Sequence, residues 1–255
     1  TTIYLNNLVA SAHGYIYNTK SSGIAELFNF LLKGYPVLMA ENSKFIITSF
    51  LIFFAGSLFS FLLITVFPDN IYIFASEEFV NHILSLDELT DQGAVLSAQI
   101  MTNNIAVGLY ALIYGIFLGI GTVYVLLFNS FMIGSAAAVA YLNDVSLQFF
   151  FLIFPHGVLE LFSIFVAGGA GLLIGYSIIN PGRLSRKDSI IEGGKTAIFL
   201  VLGTIPLFII AGIIEGFISF FSKNISLNLS IALASIVFLI LYIAIPNYLV
   251  RKKRI

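Results

Sequence analysis

His156 and Glu160 stand four residues apart in Phe154-Pro-His-Gly-Val-Leu-Glu160, inside a run made otherwise of Phe, Leu, Ile and Gly. An ionisable pair on one face of a lipid-length helix is costly to insert, so it faces protein or water and generally has a task. A second acid of this kind, Glu215, closes Ala211-Gly212-Ile-Ile-Glu215, and Asn103-Asn104 opens another apolar run. Three kinds of chemistry are open to these residues. They can hydrogen-bond one another or facing helices and lock a bundle; they can form an ion or proton site at mid-depth; or His156, Glu160 and Glu215 can bind a metal, since i and i+4 share a helix face. The metal reading has little to stand on. The His-Glu-x-x-His signature is absent, and His13 and His82, the other two histidines, lie outside the apolar core. Gly-x-Ser-Gly, Gly-x-Gly-Asp and Gly-x-x-x-x-Gly-Lys are absent too. No catalytic residue, resident metal or cofactor is expected.

The elements that must position these residues belong in a membrane. Of 255 residues 59% are hydrophobic and 10% charged; soluble domains carry about 25% charge, so this chain has too little polar surface to coat a water-facing body. A net charge of −1 leaves no basic face for nucleic acid. Zero cysteines exclude disulfides and thiolate metal sites. The chain opens Thr1-Thr2 rather than Met, as one lacking its first residues would, and the first lipid-length run begins only near Lys44, so no signal peptide is expected in it.

About 20 apolar residues are needed per crossing, and on that measure spans fall near 44–67, 103–128, 149–179, 196–221 and 228–249. Phe131–Tyr141 is an apolar run too short to be assigned by length. Charge decides. With that run as a thin third crossing, Lys20, Lys33, Lys44, Arg183, Arg186, Lys187, Lys195 and Arg251 to Arg254 all fall on one side, with Lys223 alone opposite. The positive-inside rule then predicts an all-α, polytopic, multi-pass cell-membrane bundle of about six helices, the third short, with both termini cytoplasmic. Residues 1–43 form an inner, interfacial region ahead of the bundle at 44–255. Within it, Ile24–Lys33 reads as an amphipathic helix and Gly34-Tyr-Pro36 as an elbow into the membrane. The connection 68–102 carries Asp69, Glu77, Glu78, Asp87, Glu88 and Asp91 without Lys or Arg, and reads as an outward acidic segment with short helices on the surface, Phe79, Ile83 and Leu86 at helical spacing. In a chain without Trp, Tyr35, Tyr72, Tyr176 and Tyr248 are the expected interfacial anchors. Asn180-Pro-Gly-Arg reads as a helix stop followed by a basic inner loop, and Asn224 and Asn228 head glycosylation-type triplets.

Placed on helices, the small residues form stripes: Asn104, Gly108, Ala111, Gly115, Gly119, Thr122; then His156, Glu160, Ser163, Ala167, Gly171, Gly175; then Thr204, Ala211, Gly212, Glu215, Ser219. Gly115-x-x-x-Gly119, Gly171-x-x-x-Gly175 and Gly212-x-x-x-Gly216 let helix backbones approach closely. The glycines thereby put both glutamates inside the bundle. At ~1.5 Å rise per residue, His156 and Glu160 lie roughly 10 and 16 Å from the outer end of their span, and Glu215 about 9 Å from the end of its own. Asn104, His156, Glu160 and Glu215 can therefore form one polar cluster. Glycine stripes can also pair copies, so a homo-oligomer or a membrane envelope complex is expected alongside the lipid bilayer as partner.

The motif order resembles the stage II sporulation protein M family. It comprises Asn103-Asn104 with Gly115 and Gly119, Asn129 with Gly134, and Pro155-His156-Gly157-x-x-Glu160. Ala167-Gly168-x-x-Gly171, Asn180-Pro-Gly182 and Ala211-Gly212-x-x-Glu215-Gly216 complete it. The match is dense over 100–221 and holds only in layout before that. Where family members often have Asn-Gly, this chain has Asn129-Ser130, which lacks the usual tight-turn signal. The resemblance implies a polytopic, non-enzymatic membrane component, its polar motif positions being His156, Glu160 and Glu215. In spore formers such a protein works with peptidoglycan hydrolases during engulfment; relatives in organisms that never sporulate make a general scaffold or a transport-like role the broader implication.

Overall fold

The computed structural model describes residues 23–84, 93–216 and 225–252, and every regular element among them is helical. We number α1 Ile24–Asn29, α2 Tyr35–Glu41, α3 Ser43–Val66, α4 Glu77–Leu84 and α5 Gly93–Ile113. There follow α6 Ile120–Leu142, α7 Ser146–Ile179, α8 Arg186–Leu202, α9 Ile205–Ile214 and α10 Ile225–Lys252. Among the described residues five stretches are long and apolar enough to cross a bilayer: α3, α6, Ile153–Ile179 of α7, Arg186–Ile214 through α8 and α9, and Ile225–Val250 of α10. Met101–Ile116 is apolar but shorter. The chain builds the all-α polytopic bundle its composition demands.

The boundaries of the second and third crossings need correction. The apolar run expected at 103–128 breaks in its middle, after a 3-10 turn at Tyr114–Ile116. Leu118 and Gly119 take φ of 55° and 81°, left-handed backbone that glycine enters without a Cβ penalty. Thr122 Oγ1 donates to Ala111 O across the turn at 2.7 Å. From there α6 runs straight through Asn129-Ser130, where Asn129 Nδ2 donates back to Val125 O at 2.8 Å and makes no turn. The thin third span is thus the second half of a 23-residue helix, and the shorter apolar stretch is in α5. Hydropathy ran across the turn because Tyr-Gly-Ile-Phe-Leu-Gly is as apolar as the helices it joins. Since α5 starts at Gly93, the acidic connection expected to reach 102 also ends earlier; Leu86, Asp87, Glu88 and Asp91 lie outside the described residues.

The expected elbow at Gly34-Tyr-Pro36 is a helical segment instead. A π turn at Phe30–Gly34 leads directly into α2. In π register the nitrogen of Pro36 would serve the Leu31 carbonyl, and proline has no hydrogen to give. The hydroxyl of Tyr242, on α10, donates to Leu31 O at 2.5 Å in its place, and Asn247 Nδ2 donates to Pro36 O at 3.1 Å. The chain bends at Asn42 (φ −104°, ψ 14°) before entering α3. Tyr35, expected as an interfacial anchor, is fully buried: its ring occupies the space a Cβ on Gly203 would need, and its hydroxyl donates to Leu200 O at 2.9 Å. Tyr72, Tyr176 and Tyr248 are exposed near helix ends as expected.

The most enclosed of the long apolar helices is α7. Along its C-terminal half, Gly171 meets the Ala111 carbonyl and Thr122 Oγ1, Gly175 meets the backbone of Gly119, and Gly168 meets Ser49 and Leu126. A Cβ at any of these would collide with a neighbour, so the glycines permit the close approach. Gly119, read as a helix-packing residue, acts here as turn and contact surface together. On a second seam Gly134 packs against Ser57 O and Ser60 Oγ, and Ser57 Oγ donates to Ser130 O at 3.1 Å.

Among the described residues the basic side chains gather at one end of the bundle, with Glu41, Asp188 and Glu192 beside them. Lys44, over the ring of Tyr176 at 4.9 Å, shares one end with the 180–185 connection and the first turn of α8, which carry Arg183, Arg186 and Lys187. The helix stop expected at Asn180-Pro-Gly follows the end of α7 at Ile179, and the connection is short, because Ser185 caps α8 by accepting from Asp188 N. At the other end a 3-10 turn, Pro68–Ile73, and α4 lie against α6: Ile71, Val80 and Ile83 are buried with Ala136, Val139 and Ala140. That end carries Asp69, Glu77 and Asp144.

Candidate functional site

The N-terminal half of α7 is built differently from its glycine half. Pro155 sits inside the helix, so the Phe151 carbonyl one turn earlier loses its helical donor. An unmet carbonyl in a lipid-facing bundle is expensive, and here Asn228 of α10 donates to it through Nδ2 at 3.2 Å. Asn228 is 4% exposed and engaged within the bundle, which closes the glycosylation reading at this position; Asn224 lies outside the described residues. Sequence reasoning missed this role. The signal was available: a proline within a helical stretch predicts an orphaned carbonyl four residues back, and a lone Asn in an apolar helix is a natural donor.

Next along the helix stand His156 and Glu160, 6% and 5% exposed. Four residues apart, they reach separate partners on facing helices. Asn104 Nδ2, from α5, donates to Glu160 Oε2 at 2.8 Å. His156 Nε2 lies 3.8 Å from Glu215 Oε1. Glu215, directly after α9, is 1% exposed and close enough to Glu160 to feel its charge. Asn104, His156, Glu160 and Glu215 are thus drawn together from three elements. Asn103, the fifth candidate, is exposed and outside the cluster. On a helix its side chain points about 100° away from that of Asn104, which explains why adjacent asparagines separate. Gly212 brings α9 against the Met101 side chain of α5, the close contact that sets Glu215 beside α7; Gly216 is buried next to it.

At ~1.5 Å per residue, His156 and Glu160 lie about 15 and 21 Å along α7 from its first residue, Ser146, in the N-terminal half of the helix. All four residues lie toward the acidic end.

Electrostatically the site is incomplete. Each glutamate has a buried oxygen, Glu160 Oε1 and Glu215 Oε2, without a hydrogen-bond donor among the described residues. Neither forms an ion pair with a lysine or arginine there. Burying an unpaired carboxylate costs on the order of several kcal/mol even after relaxation, so leaving these two oxygens without a donor is costly. As a metal centre the arrangement falls short: among the described residues no three of His, Cys, Asp or Glu are placed to hold a metal ion.

Comparison with known proteins identifies the family. The family model of stage II sporulation protein M matches residues 49–220. An uncharacterized protein of Methanocaldococcus jannaschii is 26% identical over 190 residues, covering 71% of this chain and 83% of its own length. No solved structure matches. The chain belongs to the stage II sporulation protein M family, and with its long apolar helices it is an integral membrane protein.

Proposed function

We propose that this family member is a non-enzymatic membrane scaffold, which holds envelope-remodelling partners against its acidic end. The observation that carries the proposal is the way that end is built. The 3-10 turn Pro68–Ile73 and α4 are anchored to α6 through Ile71, Val80 and Ile83, so Asp69 and Glu77 are presented on a fixed platform. Tyr72 and Ile73 stand exposed on the same platform, 62% and 69% accessible, a mix of apolar anchors and charge suited to protein recognition. The basic residues at the other end support placing that end in the cytoplasm and the platform outside. In this arrangement the termini are cytoplasmic and residues before α3 are an inner appendage. Close-packed glycine seams make the bundle a rigid mount, and a second copy is a natural neighbour for the apolar flanks of α3 and α10.

A photo-crosslinking side chain at Tyr72 or Ile73, activated in native membranes, tests this. The expected outcome is a discrete protein adduct that disappears when Asp69 and Glu77 are both changed to Lys. The contrary result is labelling of lipid alone, together with ion flux through the purified protein in liposomes that Glu160→Gln abolishes. That pair of findings would replace the scaffold with a transporter.

A further inference from the structure

The buried acids have no part in a docking platform, yet their arrangement is specific. Glu160 and Glu215 come from different elements and are held close enough for their charges to interact. Each has one oxygen committed, Glu160 Oε2 to Asn104 at 2.8 Å and Glu215 Oε1 facing His156 at 3.8 Å. Each retains the other oxygen, buried and without a donor among the described residues. With both acids ionised and the imidazole neutral, these three side chains hold two negative charges and no positive one. A charged imidazole would neutralise one of the two and leave the other. Low-dielectric surroundings do not tolerate that balance, so the two acids call for a compensating positive charge.

Among the described residues, the other elements packed on this part of α7 do not provide it. α5 brings Asn104, a neutral amide. α9 brings Leu207 and Ala211, and α10 brings Leu239, all apolar. Asn228 of α10 has its amide directed at Phe151 O. The described lysines and arginines that the bundle places, Lys44, Arg183, Arg186 and Lys187 among them, sit toward the opposite end. A divalent ion would demand a convergent set of three or more strong ligands, which the described residues do not form. With the imidazole of His156 charged, one small positive charge at the two uncommitted carboxylate oxygens completes the balance.

We propose that Asn104, His156, Glu160 and Glu215 form a monovalent-cation site, reached from the acidic end, in which the uncommitted oxygens of Glu160 and Glu215 receive a proton or an alkali-metal ion. The inference is independent of the scaffold reading. Occupancy ties α5, α7 and the end of α9 together, and loss of the cation loosens that corner of the bundle. Its position in the N-terminal half of α7 sets it nearer the acidic end than the basic one.

The test uses the full chain in phosphatidylcholine nanodiscs, with choline chloride replaced stepwise by sodium or potassium chloride at constant ionic strength and pH. In the alkali arm the parent's thermal midpoint rises by several degrees over choline, and Glu160→Gln and Glu215→Gln are flat. In the proton arm sodium, potassium and choline behave alike, and the parent shows an infrared carbonyl band of a protonated carboxylic acid that is absent from one of the two variants. Either pattern supports the site and identifies the cation. A parent with no alkali response and no such band overturns it, whatever the variants do, so poor folding of a variant cannot rescue the proposal. Adduct formation at Tyr72 is a separate readout, and its failure bears only on the scaffold.

Discussion

One helix, α7, carries two regions that solve opposite problems. In its C-terminal half Gly168, Gly171 and Gly175 meet Ser49, Ala111, Thr122 and Gly119 at backbone distance, and polar groups such as Thr122 Oγ1 find carbonyls within the seam. In its N-terminal half Pro155, His156 and Glu160 break the helix's own hydrogen bonding and introduce charge, with compensation borrowed from Asn228, Asn104 and Glu215. The first half tolerates almost no added volume. The second has its backbone repaired and its carboxylates left partly unmet. Tight complementarity is what a structural seam needs, whereas unfinished electrostatics is a signature of a site that does something. The tight seam and the incompletely paired acids are thereby separated by about two helical turns on a single element.

The strongest way to break this contrast is Gly171→Leu. Its Cβ alone would overlap the Ala111 carbonyl and Thr122 Oγ1, and the added side chain would part α7 from the α5–α6 turn. We expect a loss of about 3 kcal/mol, at the upper end for overpacking, seen as a collapse in monodisperse yield and a lowered thermal midpoint. A variant melting with the parent would show that the seam is loose. Next in size is Asn228→Ala, expected to cost about 1.5 kcal/mol by stranding the Phe151 carbonyl. The sharper form is a double-mutant cycle with Pro155→Ala, which returns an N–H to the helix. If Asn228 repairs the proline break, most of its cost vanishes in the Pro155→Ala background; an unchanged cost would assign Asn228 a different job. A matching repair operates at the other end, where Tyr242→Phe removes the donor to Leu31 O. About 1 kcal/mol is expected, confined to faster amide exchange over 24–41, and a global change in exchange would contradict it.

These two halves were unequally legible in the sequence. Glycines at four-residue spacing located the seam, and the composition left no alternative to a helical membrane bundle. Glu160, Glu215, His156 and Asn104 were identifiable as a cluster because ionisable groups in apolar runs are rare enough to stand out. The α5–α6 turn was hidden, since its residues are as apolar as their helical neighbours and only the backbone angles of Leu118 and Gly119 reveal it. Both proline repairs were hidden for another reason: Asn228 with Phe151, and Tyr242 with Leu31, are far apart in sequence. Local pattern shows that a carbonyl is orphaned but not which distant side chain answers it. The approach of His156 to Glu215 depended equally on tertiary packing.

The smallest stability effect belongs to the most conspicuous residue, and it decides what the polar half is for. Glu160→Gln keeps an oxygen to accept from Asn104 Nδ2 and removes a charge that has no lysine or arginine partner among the described residues. Replacing a buried, poorly compensated charge by a neutral isostere is often neutral or stabilising, so the expected change in unfolding free energy is below about 1 kcal/mol and of either sign. A structural keystone would behave otherwise, because breaking a well-compensated buried pair costs about 3–5 kcal/mol. Thermal unfolding of Glu160→Gln beside Gly171→Leu in one lipid therefore reads the comparison directly. A near-parental midpoint for the glutamate variant, with a collapsed one for the glycine variant, assigns stability to the seam and leaves the acids free for ligand. A loss at Glu160 as large as that at Gly171 would make the two halves one structural unit and remove the physical reason for treating the acid cluster as a site.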